Sequence, residues 1–216
     1  MKNRVKFLVL GVLLFSANGC VTVFSEFQSA RTLGEGNKEV TANISGVNYA
    51  GEGDNEYHQT NIGVQFGMGL NESADIRFRI ENLNLSGESG DNFEYYAVGV
   101  GPKISLIRDK MALYVPIGFA FDFGDRLETD ETFEIQPTLL YTFPVSEDFE
   151  VNTSGKYIFV FEDSPDALRD DALAFNIGLG IFSNSFTVRP EMGFMIYPED
   201  TDMLFFHFGT GVSYNF

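Results

Sequence analysis

Charged side chains fall at alternate positions in several stretches. Asp75, Arg77, Arg79 and Glu81 share one parity, and Lys103, Asp122, Glu134, Glu150 with Lys156, and Arg189 with Glu191 do the same in their own segments. Acids and bases mixed in this way either pair in a buried network or line a polar path that selects ions by charge. His58 and His207 are the only histidines, and Asp200 and Asp202 stand close to His207, a set with the side chains for acid–base work. Cys20 is the only cysteine, so no disulfide forms within the chain. There is no glycine-rich phosphate loop and no Cys/His cluster with ligand spacing, so no cofactor, metal site or catalytic set is assigned.

The elements that must position these residues are strands. Ten segments alternate apolar with polar or small residues, the period of a strand with two different faces. They run over about Lys38 to Tyr49, Tyr57 to Leu70, Asp75 to Glu81, Phe93 to Ile107, Ala112 to Phe123, Thr132 to Val145, Phe149 to Phe161, Leu173 to Ile181, Phe186 to Ile196 and Met203 to Phe216. In the fifth, Leu113, Val115, Ile117, Phe119 and Phe121 oppose Ala112, Tyr114, Gly118, Ala120 and Asp122. In the last, Leu204, Phe206, Phe208, Val212, Tyr214 and Phe216 oppose His207, Gly209, Gly211 and Ser213. Connections are by turns short (Asn71 to Ser73, Arg108 to Lys110, Ser146 to Asp148, Ser183 to Ser185) and long, the long ones acidic. Greasy faces on every strand, an even strand number and alternating loop lengths predict an all-β fold: one antiparallel up-and-down transmembrane barrel over 38–216 with a lumen filled by polar side chains. Segments of about 12 residues suit the ~9–11 that a tilted strand needs to cross a bilayer. Pro102, Pro116, Pro137 and Pro190 interrupt these strands; bulges or strand ends, with local slips of face, are expected there.

Both ends carry a resemblance. The terminal Phe216, with Tyr214, Val212 and Phe208 at alternate positions, resembles the assembly signal of bacterial outer-membrane β-barrels, which implies the barrel-assembly machinery as a partner. At the other end Lys2, Arg4 and Lys6 precede an apolar run from Phe7 to Phe15, read as a signal peptide over 1–19. Gly19 before Cys20 is similar to the lipidation box of bacterial lipoproteins, although Ala17 stands where that family usually has Leu; the alternative is an ordinary cleavage beside an unmodified Cys20. Residues 20–37 show no strong period and read as a periplasmic lead-in. The resemblance places the protein in the outer membrane of a Gram-negative-type bacterium, with both termini periplasmic.

Phe is abundant at 23, Gly numbers 22 and Trp is absent, while mean hydropathy is only -0.04, as expected when half of each strand faces inward. The formal charge of -17 argues against nucleic acid, whose phosphates need a basic surface. The loop acids, among them Glu52, Asp54, Asp125, Glu128, Asp163, Asp166 and Asp170, form an exposed acidic face. Divalent cations bridging lipopolysaccharide phosphates are one expectation for it, although no loop has EF-hand spacing. Lipid and lipopolysaccharide are the expected surroundings, and a monomer the expected state.

The lumen set is thus Asp75, Arg77, Arg79, Glu81, Lys103, Asp122, Glu134, Glu150, Lys156, Arg189, Glu191 and His207, expected to pair across strands. The leading expectation is a non-enzymatic barrel with a structural or surface-binding role. The first alternative is a narrow ion or small-solute channel. The second is a rim hydrolase: ten strands resemble the omptin proteases, which need an Asp–His couple at the outer rim, and His58 and His207 fall near the predicted outer ends. A lipid-modifying barrel would need a Ser–His pair, and Ser213 sits toward the periplasmic end.

Overall fold

The computed structural model describes residues 23–51, 54–86, 92–121, 132–161, 171–198 and 200–216. The strands are β1 (Lys38–Gly51), β2 (Asp54–Asn71), β3 (Ala74–Ser86), β4 (Asn92–Ile107), β5 (Met111–Tyr114), β6 (Ile117–Phe121), β7 (Thr132–Ile135), β8 (Thr138–Pro144), β9 (Phe149–Phe161), β10 (Ala172–Ser183), β11 (Phe186–Tyr197) and β12 (Asp200–Asn215). Each is antiparallel to its neighbours, and β1 closes the ring on β12 from Glu39 opposite Asn215 to Ala50 opposite Leu204. β5 and β6 both pair with β4, and β7 and β8 both pair with β9, so each couple is one strand broken in the middle. The result is a closed barrel of ten strands.

The breaks sit at Pro116 and Pro137, where a missing N–H leaves a rung unmade. The register is the same on both sides of each break, so no face slips, contrary to expectation. Pro102 and Pro190 also depart from expectation, because β4 and β11 run through them. Three prolines keep their acceptors in use: Val115 N–H donates to Pro102 O (3.1 Å), Gln136 N–H to Pro116 O (3.0 Å) and Tyr157 N–H to Pro137 O (3.1 Å). A carbonyl that still accepts holds the neighbouring strand in line. The register shifts lie elsewhere, at Val47/Asn48, Gly69/Asn71, Ser105/Ile107 and Ile196/Tyr197.

The outer face is apolar all the way round. Phe78, Phe119, Phe143, Phe175, Phe186 and Phe208 are each between 44% and 55% exposed, an area that water would penalise and lipid accepts. At the end of the barrel that carries the short turns, Phe216 and Lys38 exchange backbone hydrogen bonds of 3.0 and 2.9 Å. Toward the other end the interior is not polar as expected. Val47, Ile158, Ala172, Ala174, Met195 and Phe205 form an apolar layer there, and Phe24 packs into it.

Candidate functional site

Phe24 belongs to a segment expected outside the barrel as part of a periplasmic lead-in, and for the described residues from Val23 to Leu33 the position departs from that expectation. Every residue from Val23 to Ala30 is at most 6% exposed, because the segment lies along the inside of the barrel. At its far end Gly34 and Gly36 take left-handed φ values of 79° and 80° and turn the chain back into β1, with Gly36 N–H donating to Gly69 O (3.1 Å). The turn touches β2 so closely that a Cβ on Gly69 would lie 1.8 Å from Gly34 O. From this turn at the short-turn end the segment leads back to Val23, beside the apolar layer. It thus traverses most of the lumen.

A buried extended chain must place its backbone donors and acceptors somewhere. Here wall side chains take the role of a neighbouring strand. The Glu191 carboxylate accepts from Glu26 N–H (2.7 Å) and Phe27 N–H (2.9 Å). Thr142 accepts from Ala30 N–H (2.8 Å) and Asp75 from Leu33 N–H (2.9 Å). On the acceptor side, Asn176 donates to Phe24 O (2.8 Å), Arg79 to Ser25 O (2.8 Å), Gln65 to Glu26 O (3.1 Å) and Lys103 to Arg31 O (2.6 Å). Two ion pairs add to this, Lys156 with Glu26 at 2.7 Å and Arg31 with Glu150 at 2.8 Å. Phe27 lies against the glycine surface of β12, where a Cβ on Gly211 would stand 3.0 Å from its own Cβ.

The remaining wall charges pair with one another. Arg77 bridges Glu39 (2.6 Å) and Asp75 (3.1 Å), Lys103 meets Asp75 at 3.2 Å, and Arg189 lies 3.4 Å from Glu39 and 3.5 Å from Glu150. Arg79 is 3.4 Å from Glu81. Glu134, half-buried, accepts from Gln136 (2.6 Å). Asp122 and Cys20 lie outside the described residues, as do most of the loop acids. The structure therefore brings together eleven of the twelve lumen residues named from sequence, and it adds Glu26, Arg31, Glu39, Gln65, Thr142 and Asn176. Of these Glu39 was legible, since it shares the inward parity of Thr41 and Asn43; Glu26 and Arg31 carried no periodic signal.

His207 is not at a rim. It is 1% exposed, with Phe24 edge-on at 4.8 Å and Phe27 at 6.4 Å between ring centroids. Its Nε2 meets Asn176 Oδ1 at 2.9 Å and lies 3.6 Å from Glu191. His58 is half-buried with its ring 5.6 Å from that of Phe205. Ser213 shares a hydrogen bond with Thr41 (2.8 Å) and accepts from Arg189 (3.1 Å). His207 and Ser213 are buried within the lumen, and neither they nor His58 pair with an Asp to make the couple a rim hydrolase needs among the described residues. Among the described residues no group of His, Cys, Asp and Glu is arranged to hold a metal ion. A cavity of about 40 Å³ between Val23 and the small residues Ala97, Gly99, Gly118 and Ala120 has room for a few waters and nothing larger.

The sequence matches no protein-family profile and no curated protein. Among solved structures, the attachment invasion locus protein Ail of Yersinia pestis is 14% identical with a TM-score of 0.41, over 84% of this chain and 99% of that one. The N-terminal β-barrel domain of Pseudomonas aeruginosa OprF is 13% identical with a TM-score of 0.40, over 85% and 99%. The outer membrane protease OmpT of Escherichia coli is 10% identical with a TM-score of 0.45, over 88% and 100%. None of them lends its activity to the present chain. The ring closure, the apolar exterior and the filled lumen are this chain's own, and together they make it a closed ten-stranded β-barrel of the transmembrane kind.

Proposed function

We propose that this protein is an outer-membrane barrel, sealed at rest, that acts without catalysis as a rigid base for an acidic loop face. The observation that carries this reading is the segment 23–33 lying along the lumen, with its backbone bound by Glu191, Arg79, Lys103, Asn176 and Thr142. Eight-stranded barrels are filled by their own side chains, whereas ten strands leave more width, and here a stretch of main chain takes it up. Short connections gather at the end with Phe216, and the usual rule for such barrels puts that end in the periplasm. The acidic loops then face outward, where lipopolysaccharide and its divalent counter-ions are the partners their charge suits. Folding by the barrel-assembly machinery and a monomeric state complete the reading. The test is conductance of the purified wild-type protein in a planar bilayer, with folded state verified by its altered gel migration before heating. Silence is expected; discrete ion-selective steps from the untreated protein would replace this reading with a constitutive channel.

A further inference from the structure

We propose that residues 23–33 are a dissociable ligand of the lumen, and that the barrel conducts small inorganic ions when this segment is withdrawn. The inference rests on the sealed resting state just proposed and adds a second state to it.

Three observations carry it. First, the segment is held as a ligand is held. Among the described residues no backbone–backbone hydrogen bond ties 23–33 to a strand; the first such bond is Gly36 N–H to Gly69 O. Its contacts are side-chain contacts that break without unmaking the barrel ladder, which closes between β1 and β12. Second, most of the wall's charge pairs do not involve the segment; Lys156, paired with Glu26, is the exception and keeps Gln136 Oε1 at 3.0 Å. Arg77 with Glu39 and Asp75, Lys103 with Asp75, Arg189 with Glu39 and Glu150, and Arg79 with Glu81 are all wall-to-wall pairs. A barrel whose lumen charges all depended on the insert would collapse or reject charge on its loss. Here Arg77, Arg79, Lys103 and Arg189 stay paired along a polar path, and Lys156 and Glu191 are the two groups that water must then solvate.

Third, the seated state carries strain and unmet polar groups. Phe27 sits at φ 49°, a left-handed conformation that a bulky residue adopts only when its surroundings hold it there, and both oxygens of Glu191 are what hold its amide and the one before it. Ser25 Oγ, Gln28 Oε1 and Ser45 Oγ are buried without a hydrogen-bond partner. Groups left so at an internal contact favour water entering it. Departure of the segment returns Phe27 to an unstrained backbone and hydrates this seam. What remains is a passage as wide as an extended chain, bordered where Phe27 sat by Gly209 and Gly211, which add no side chain to it.

The test compares three proteins in planar bilayers at several salt concentrations: wild type, a form with residues 23–31 excised, and a full-length Phe27→Ser/Glu191→Ala form. The excised barrel should show stable conducting steps. A synthetic peptide with the sequence of residues 23–33 should close them, and the same peptide with Glu26→Ala and Phe27→Ser should not. The full-length double variant should flicker open about tenfold more often than wild type or beyond, the shift expected when charge-assisted hydrogen bonds are lost. A staple, Ala30→Cys with Ala112→Cys on the double variant in a Cys20→Ser background, joins residues of one buried cluster and should suppress that flicker until reduced. Silence of the excised barrel, shown folded by gel migration, overturns the proposal. Should that form fail to fold, a double variant as silent as wild type overturns it instead. Steps in wild type equal to those of the excised form would overturn the sealed resting state rather than this second one.

Discussion

Replacement of Arg77 by alanine probes how the lumen network shares its load. Arg77 is buried, 2.6 Å from Glu39 and 3.1 Å from Asp75, so its loss removes two charge-assisted hydrogen bonds and strands two carboxylates. Breaking a buried pair from one side costs roughly 3–5 kcal/mol. Both carboxylates have a second cation, however: Arg189 lies 3.4 Å from Glu39 and Lys103 lies 3.2 Å from Asp75, and Asp75 also accepts from Leu33 N–H. The expected cost is therefore at the lower end, about 3 kcal/mol. Lys156→Ala is the contrast, because once Lys156 at 2.7 Å is gone the Glu26 carboxylate keeps a hydrogen bond only from Gln28, with Arg79 the remaining nearby cation, and a cost toward the upper end, about 4–5 kcal/mol, is expected there. The assay is reversible urea unfolding in lipid vesicles, read by the gel migration of the folded form. A double-mutant cycle between Arg77→Ala and Glu39→Ala should return a coupling of about 2 kcal/mol. Additive single effects, or an Arg77→Ala cost under about 1 kcal/mol, would refute the network as drawn.

Other outcomes follow from the same geometry. Gly69→Ala puts a Cβ 1.8 Å from Gly34 O, so the turn that seats the lumen segment must move; faster proteolysis within 23–33 is expected, whereas Gly155→Ala, whose Cβ meets only Phe175 at 3.5 Å, should leave it protected. His207→Ala removes a ring packed against Phe24 and the partner of Asn176, so thermal stability should fall, while any peptidase or esterase activity should be unchanged; loss of such an activity would restore the rim-hydrolase reading. Raising salt from about 0.1 M to about 1 M shortens screening from ~10 Å to ~3 Å yet hardly reaches buried pairs, so the urea midpoint should hold. The exposed Arg108–Glu72 pair, with side chains 75% and 67% exposed, contributes too little to alter this.

Strand parity was legible because it is a local property. In a strand every second side chain shares a face, so Asp75 to Glu81, Lys103, Lys156 and Glu191 could be assigned inward, and Phe208, Val212 and Tyr214 outward, from neighbours a few residues away. The prolines were legible only as trouble. Whether a strand breaks, as at Pro116, or runs through, as at Pro102, depends on which neighbours its donors and acceptors face across the sheet.

The lumen segment belongs wholly to tertiary structure. Val23 to Leu33 has no period, because its backbone pairs with side chains scattered round the ring rather than with a strand. Glu26 meets Gln65, Lys156 and Glu191, positions 39 to 165 residues distant, which come together only when β1 closes on β12. Local chemistry determined that there would be a ring and which side chains would point into it. What fills it was decided by the width left after closure, which no stretch of sequence encodes by itself.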